Sequence, residues 1–322
     1  MGNCWPNWVF SPVATDLPDG AHVPVMLAPV LARLAPRDGG RYLDLTFGRG
    51  GYARALLGQF QGGALLACDR DPSAIAAAQA LAEDDPRLQP LHANFGELAG
   101  HPKIAPESFD GIVADLGVSS PQLDEAERGF SFLRDGPLDM RMDTSRGESA
   151  AQWLARVEPG ELIGALRRYG EEPQARRIAL AILRGREAEP ITRTAQLANI
   201  IANAVGGRRG KRTHPATRSF QAIRMAVNGE LEALAALLEQ VHGWLKPGGR
   251  LVVVSFHSLE DRAVKRMLQQ GARPRAAHPA LPDPQPLWAQ IGRELCSELE
   301  AQRNPRARSA VLRWGCKWPG EG

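Results

Sequence analysis

Cysteine is scarce in this 322-residue chain: Cys4, Cys68, Cys296 and Cys316 stand far apart, and no Cys-x-x-Cys pair occurs. Scattered thiols of this kind build neither a zinc site nor a disulfide framework, and they read as free cysteines of a reducing cytoplasm. The sequence has no metal-ligand spacing elsewhere, so no metal is expected. No apolar run approaches the ~20 residues a membrane helix needs, so no membrane partner is expected. The first residues carry Trp5, Trp8 and Phe10 but no basic stretch leading into an apolar core, and they do not read as an export signal. No internal repeat is found. Charge of one sign is missing too: 39 Lys and Arg against 36 Asp and Glu leave a formal net charge of +3. Attraction to nucleic acid must therefore come from local clusters.

What is present is material for a core, with 43% hydrophobic residues and an ordinary 23% charged. Past a loose leader at residues 1–20, strand and helix signals alternate. Arg41–Thr46 reads as a strand, followed by a Gly-rich turn and a helix over Tyr52–Phe60. Ala64–Asp69 reads as a second strand. Asp71 and Pro72 open the next helix as its cap and first residue. Leu88–His92 and Phe109–Asp115 supply the third and fourth strands. Leu245-Lys246-Pro247-Gly248-Gly249 reads as a sharp turn before a fifth strand at Leu251–Phe256. Near-continuous apolar runs separated by helices predict a parallel sheet covered on both faces, a doubly wound α/β fold. Residues 123–215 read as a helical insertion between the fourth and fifth strands. Apolar positions from Phe220 to Leu245 recur at three- and four-residue steps and predict one long amphipathic helix. Ala272–Pro286, rich in Pro and Ala, reads as a loop.

The candidate chemistry sits at the strand ends. Gly48-Arg49-Gly50-Gly51 after the first strand lets backbone approach a ligand closely, with a helix N-terminus behind it. Gly48-x-Gly50-x-x-Ala53 also fits a dinucleotide fingerprint, so the turn does not separate NAD from S-adenosylmethionine. Asp69 ends the second strand, where an acid can accept hydrogen bonds from ribose hydroxyls. Phe95 follows the third strand and offers a ring to an adenine face. Asp115 through Gln122 (DLGVSSPQ) follows the fourth, facing the crevice where ligands of such sheets bind.

Longer strings narrow the reading. They include His22–Leu27 (HVPVML), Thr46–Gly51 (TFGRGG), Asp115–Asp124 running on to Glu127–Phe132 (ERGFSF), and Pro137–Asp143 (PLDMRMD). Tyr169–Glu172, His214–Arg218, Ser255–Asp261 (SFHSLED) and Asn304–Ser309 (NPRARS) continue them. From about Ala21 to Arg313 the chain resembles the bacterial small-subunit ribosomal RNA cytosine-N4 methyltransferase family. The resemblance implies a Rossmann-like class I methyltransferase sheet and methylation of a cytidine N4 in the decoding region of 16S rRNA, with the small ribosomal subunit as partner. It implies S-adenosylmethionine contacts at Gly50, Gly51, Tyr52, Asp69, Phe95, Asp115 and Gln122. Members of the family usually carry His where this chain has Tyr52, so a contact that needs imidazole would be lost and a backbone contact kept.

Further roles follow from position. Asp115 and His257, each at a strand end, are the candidates for orienting the amine nucleophile or taking its proton. Arg208, Arg209, Lys211 and Arg212 form a basic loop suited to RNA phosphates, and the tail adds Arg303, Arg306, Arg308, Arg313 and Lys317. The expected division is a catalytic domain of residues 21–122 and 216–322 with a substrate-recognition insertion at 123–215. Two other readings stay open on the glycine turn and the basic loops: an NAD-dependent oxidoreductase, for which no hydride-transfer site is found, and a non-enzymatic RNA-binding assembly factor.

Overall fold

The structure, a computed structural model, describes residues 24–207, 214–274 and 283–320. They form two compact units: residues up to Asp69 with Ala74–Leu116 and Leu237 onward, and Arg70–Ser73 with Gly117–Ala236.

The first unit holds a seven-stranded sheet in the order β3-β2-β1-β4-β5-β7-β6. β1 (Arg41–Asp44), β2 (Ala64–Asp69), β3 (Leu88–His92), β4 (Phe109–Asp115) and β5 (Leu245–Ser255) pair in parallel. Their runs are buried on both faces, as continuous stretches such as Leu65–Cys68 and Phe109–Ala114 require. Helix α1 (Leu27–Leu34) buries Leu27, Val30, Leu31 and Leu34, and α2 (Gly51–Leu57) buries Tyr52, Ala53, Leu56 and Leu57. The doubly wound α/β fold expected of the sequence is present, with helices inserted between β4 and β5.

Three features differ from expectation. The turn at Leu245–Gly249 lies inside β5 as a bulge: Phe109 pairs with Leu245 and Gly111 with Arg250, so the residues between are looped out of register. The sheet does not end at β5. β7 (Val311–Lys317) runs antiparallel between β5 and β6 (Trp288–Leu295), so the parallel rule fails at this edge. Finally, the long helix drawn through residues 220–245 is two helices, α9 (Thr217–Asn228) and α10 (Glu230–Trp244). Gly229 at φ +58° breaks them, a conformation that glycine adopts without steric penalty and that ends a helix.

The second unit is helical, with α4 (Ser120–Asp124), α5 (Ala150–Arg156), α6 (Pro159–Arg168), α7 (Ala175–Ala188), α8 (Thr194–Ala204) and α9. Its core joins Trp153 and Leu154 of α5, Leu162 and Leu166 of α6, Ile178 and Ile182 of α7, and Phe220 and Ile223 of α9. Loop backbones also meet directly: a Cβ on Gly136 would lie 1.9 Å from Ala126 O. Gly164, exposed on α6, has open space around its Cα. The two glycines should therefore respond in opposite directions to alanine. Gly136→Ala should cost about 2–3 kcal/mol through overpacking, and Gly164→Ala should add about 0.5–1 kcal/mol. Urea unfolding of the two variants checks both signs.

Candidate active site

The parallel strands of the first unit end at a shared edge, and the last residues of β1, β2 and β4 are acids. β1 closes on Asp44, and the chain turns through Gly48 and Gly50 into α2. The turn is stitched to both neighbouring strands: Leu45 N–H donates to Val113 O (2.9 Å) and Phe47 N–H to Cys68 O (3.0 Å). Gly50 has φ +74°, and a Cβ there would lie 2.6 Å from the Phe47 ring, so the turn closes only with glycine. Asp69, at the end of β2, accepts a 2.8 Å hydrogen bond from Gly48 N–H. Asp115, at the end of β4, donates its backbone N–H to Thr46 Oγ1 (2.6 Å), and Thr46 N–H donates to Asp44 Oδ1 (3.1 Å). Asp69 and Asp115 thus lie at the ends of the two strands that flank β1, and hydrogen bonds tie both to the turn after β1 that carries Gly50.

Asp44 is a residue the sequence reading missed, although its place as the acid closing the first strand was the available signal. Asp44 Oδ2 and Asp115 Oδ1 are sealed from solvent and accept no hydrogen bond. Burial pushes the Asp44 carboxyl up to about 7; the Thr46 N–H works against the rise and nearby Asp69 adds to it. Burial also raises Asp115 well above the usual carboxylate range, and the neighbouring charges of Asp44 and Glu260 add to the effect. Two acids that each hold a sealed, unpartnered oxygen are suited to meet a cation.

The other candidates fall as follows. Phe95 opens a single 3-10 turn (Phe95–Glu97) whose cap, Asn94 Oδ1, accepts Gly96 N–H at 3.1 Å. Phe95 itself is half-buried. Tyr52 is buried, and its hydroxyl donates to Val25 O. His257 is the N-cap of α11 (Ser258–Ala272): its Nδ1 accepts Leu259 N–H at 3.3 Å, and Glu260 accepts His257 N–H at 3.2 Å. Arg313 and Lys317 are not available to RNA phosphates. Arg313 is buried in a bidentate pair with Asp261 (2.6 and 3.1 Å), and Lys317 Nζ binds Glu107 and Leu245 O, both at 2.8 Å. Arg303, Arg306 and Arg308 are exposed. Arg208, Arg209, Lys211 and Arg212 lie outside the described residues.

In the second unit, Gln122 is buried. Its amide donates to Asp71 Oδ2 (2.9 Å) and its oxygen accepts Ser119 N–H (2.9 Å). Asp71 caps α3 (Pro72–Asp84) as expected, accepting Ser73 N–H at 2.9 Å, and its other oxygen also takes Arg128 Nη1 at 2.8 Å. Burial alone would raise this carboxyl, but bonds from Ser73, Gln122 and Arg128 bring it below its ordinary value. Arg128 Nη2 reaches Arg141 O and Met142 O, both at 3.1 Å. Asn228 accepts Met142 N–H (2.8 Å) and donates to Met140 O (2.7 Å). Arg128 and Asn228 were not singled out in the sequence; the ERGF string and the Asn-Gly pair were their signals.

Residues 19–317 match the MraW methylase family. The ribosomal RNA small subunit methyltransferase H of Xylella fastidiosa (strain M12) is 52% identical over 301 residues, spanning 91% of this chain and 96% of its own length. The protein of the same name from Stenotrophomonas maltophilia (strain R551-3) is 52% identical over 298 residues, spanning 91% and 92%. A solved rRNA methylase from Streptococcus thermophilus aligns at 11% identity and a TM-score of 0.40, covering 92% of this chain and 99% of its own.

The raised acids make a stability prediction. A carboxyl with a folded pKa of about 7 and an ordinary value of 3.8 binds its proton more tightly when folded. Stability is thus unaffected below pH 3.8, falls as pH rises between the two values, and levels off above the higher one. The loss is on the order of a few kcal/mol. Asp44→Asn should flatten this decline in urea melts taken from pH 5 to 7.5; equal slopes in variant and wild type would contradict it.

Proposed function

Because the chain belongs to the MraW methylase family, we propose that it transfers a methyl group from S-adenosylmethionine to N4 of a cytidine in the decoding region of 16S rRNA, acting on the small ribosomal subunit in a bacterial cytoplasm. The observation that carries the reading is 52% identity over 91% of the chain to a protein named as a small-subunit ribosomal RNA methyltransferase. Membership of a methylase family sets aside both the dinucleotide oxidoreductase and the non-enzymatic assembly factor.

The residues of the first unit fit the donor. The two buried carboxylate oxygens without a partner, on Asp44 and Asp115, suit a ligand that carries positive charge. S-adenosylmethionine supplies, when bound, a methyl group made electrophilic by its sulfonium. Backbone at Gly50, Gly51 and Tyr52 would border it, Asp69 would accept the ribose hydroxyls, Phe95 would lie against the adenine, and Asp115 would complete the set.

The acceptor poses the harder problem. The cytosine amine is a weak nucleophile because its lone pair is delocalised into the ring, so the protein has to hold it at about 3 Å in line with the methyl carbon. Asp115 would accept one amine N–H and fix the nitrogen's orientation. Once the new bond forms the amine becomes strongly acidic, so a strong base is unnecessary. His257 would steady the base. The target must leave its stack, which costs least in single-stranded or loop RNA. Arg208, Arg209, Lys211 and Arg212 would hold the phosphates around it.

Mass spectrometry of 16S rRNA from a strain lacking the protein should show one N4-methylcytidine mark missing; an unchanged modification map would refute the substrate. Asp115→Ala should lower methyl transfer by about 100-fold, measured with radiolabelled donor beside calorimetry with S-adenosylhomocysteine. Unchanged transfer and unchanged binding would remove Asp115 from the site. Changing Arg208, Arg209, Lys211 and Arg212 together to Ala should weaken RNA binding and make log K less steep against log salt by about 3.

A further inference from the structure

The string HVPVML is not accounted for by any role above, and the structure shows what its described part does. Pro24, Val25 and Met26 precede α1 as a short strap, and each is held at a different point. Pro24 lies directly on the glycine turn: a Cβ on Gly51 would be 2.3 Å from Pro24 Cγ. Val25 O accepts the Tyr52 hydroxyl. Met26 N–H donates to Glu300 Oε1 at 2.6 Å, with Glu300 on α12 (Glu298–Arg303). Met26 itself has φ +54°, an uncommon conformation for a residue with a side chain, so the contacts around it have to hold it. The strap is buried, as is the Tyr52 ring.

This arrangement gives Tyr52 a job different from the ligand contact its motif position implies. We propose that Tyr52 is a positioning residue: its hydroxyl clasps the Val25 carbonyl and fastens the Pro24–Met26 strap against Gly51, and the strap in turn fixes the backbone of the turn that receives the methyl donor. The clasp needs a hydroxyl that stays protonated. Burial provides it, lifting the phenol well above its ordinary range, with the charges of Asp115, Asp44 and Glu300 acting in the same direction. The side chain that replaces the family's usual His therefore acts on the site through the chain segment behind the turn. Any contact between residue 52 and the donor is left to its backbone.

The inference rests on the donor reading above, and the test separates the two. Tyr52→Phe keeps the ring and removes only the clasp; Glu300→Ala releases the same strap from its other end and leaves the Tyr52–Val25 hydrogen bond in place. Hydrogen exchange at the amides of residues 25–30 should speed up in both variants. S-adenosylhomocysteine binding, by calorimetry, should weaken about five- to tenfold in both, as expected for one buried hydrogen bond. In turnover with radiolabelled donor, the loss should fall on the donor KM, with kcat retained at saturation. Wild-type affinity in Tyr52→Phe would overturn the proposal, as would faster exchange in Glu300→Ala without weaker binding. A fall in kcat with unchanged donor affinity would also overturn it, because it would put the phenol at the chemical step. Wild-type protein that binds no S-adenosylhomocysteine would instead refute the donor reading itself.

Discussion

Two carboxylic acids, each with one oxygen sealed from water, at the ends of adjacent strands constrain everything around them. Removing a carboxylate from solvent without a partner costs several kcal/mol, and a protein avoids the cost by leaving the group protonated. Asp44 and Asp115 follow this rule. Each has an oxygen with no hydrogen bond, and both titrate far above their ordinary range. The sheet can hold them because β1 and β4 pair inside a layer buried on both faces, and because Thr46 bridges the two strand ends, giving its N–H to one acid and its hydroxyl oxygen to the backbone of the other. A cation entering the site would favour the ionised acids, so occupancy and protonation are coupled.

In the second unit a different balance holds. Asp71 is also buried, yet its oxygens receive Ser73, Gln122 and Arg128, and its carboxyl stays ionised. Arg128 Nη2 then reaches the carbonyls of Arg141 and Met142, and Asn228 ties down the same loop from α9. Much of the DLGVSSPQLD, ERGF and PLDMRMD strings is therefore used to capture backbone. Such capture tolerates little change, since a lost partner leaves a buried charge or amide unsatisfied.

The sheet was legible because its strands are apolar runs with sharp ends: Ala64–Asp69, Leu88–His92 and Phe109–Asp115 lie where the sequence places them. The convergence of Gly50, Asp69 and Asp115 was legible for a related reason, since the carboxyl ends of neighbouring parallel strands share one edge. What was not legible depended on pairing. Nothing in Trp288–Leu295 or Val311–Lys317 announces that one strand runs against the rest, because that is fixed by register with β5. Periodicity carried the helix through Asn228–Gly229 because apolar spacing is blind to a backbone reversal; only the Asn-Gly pair signalled it. Arg313 and Lys317 looked like surface cations because sequence gives charge without burial, and their partners Asp261 and Glu107 are distant in the chain.

The Tyr52 substitution shows how these constraints meet. A histidine at this position would bring an ionisable base close to Asp44, Asp115 and Glu300, and an imidazolium there would partly balance the buried acids. A phenol brings no charge, and burial keeps it neutral. With tyrosine at residue 52, that side chain brings no balancing charge, which a cationic ligand or protons would have to supply. Gly50 and Gly51 leave backbone, not side chain, at the turn, while the Tyr52 hydroxyl is taken up at the Val25 carbonyl. A change at a motif position can thus leave the contact surface intact while altering the electrostatics behind it.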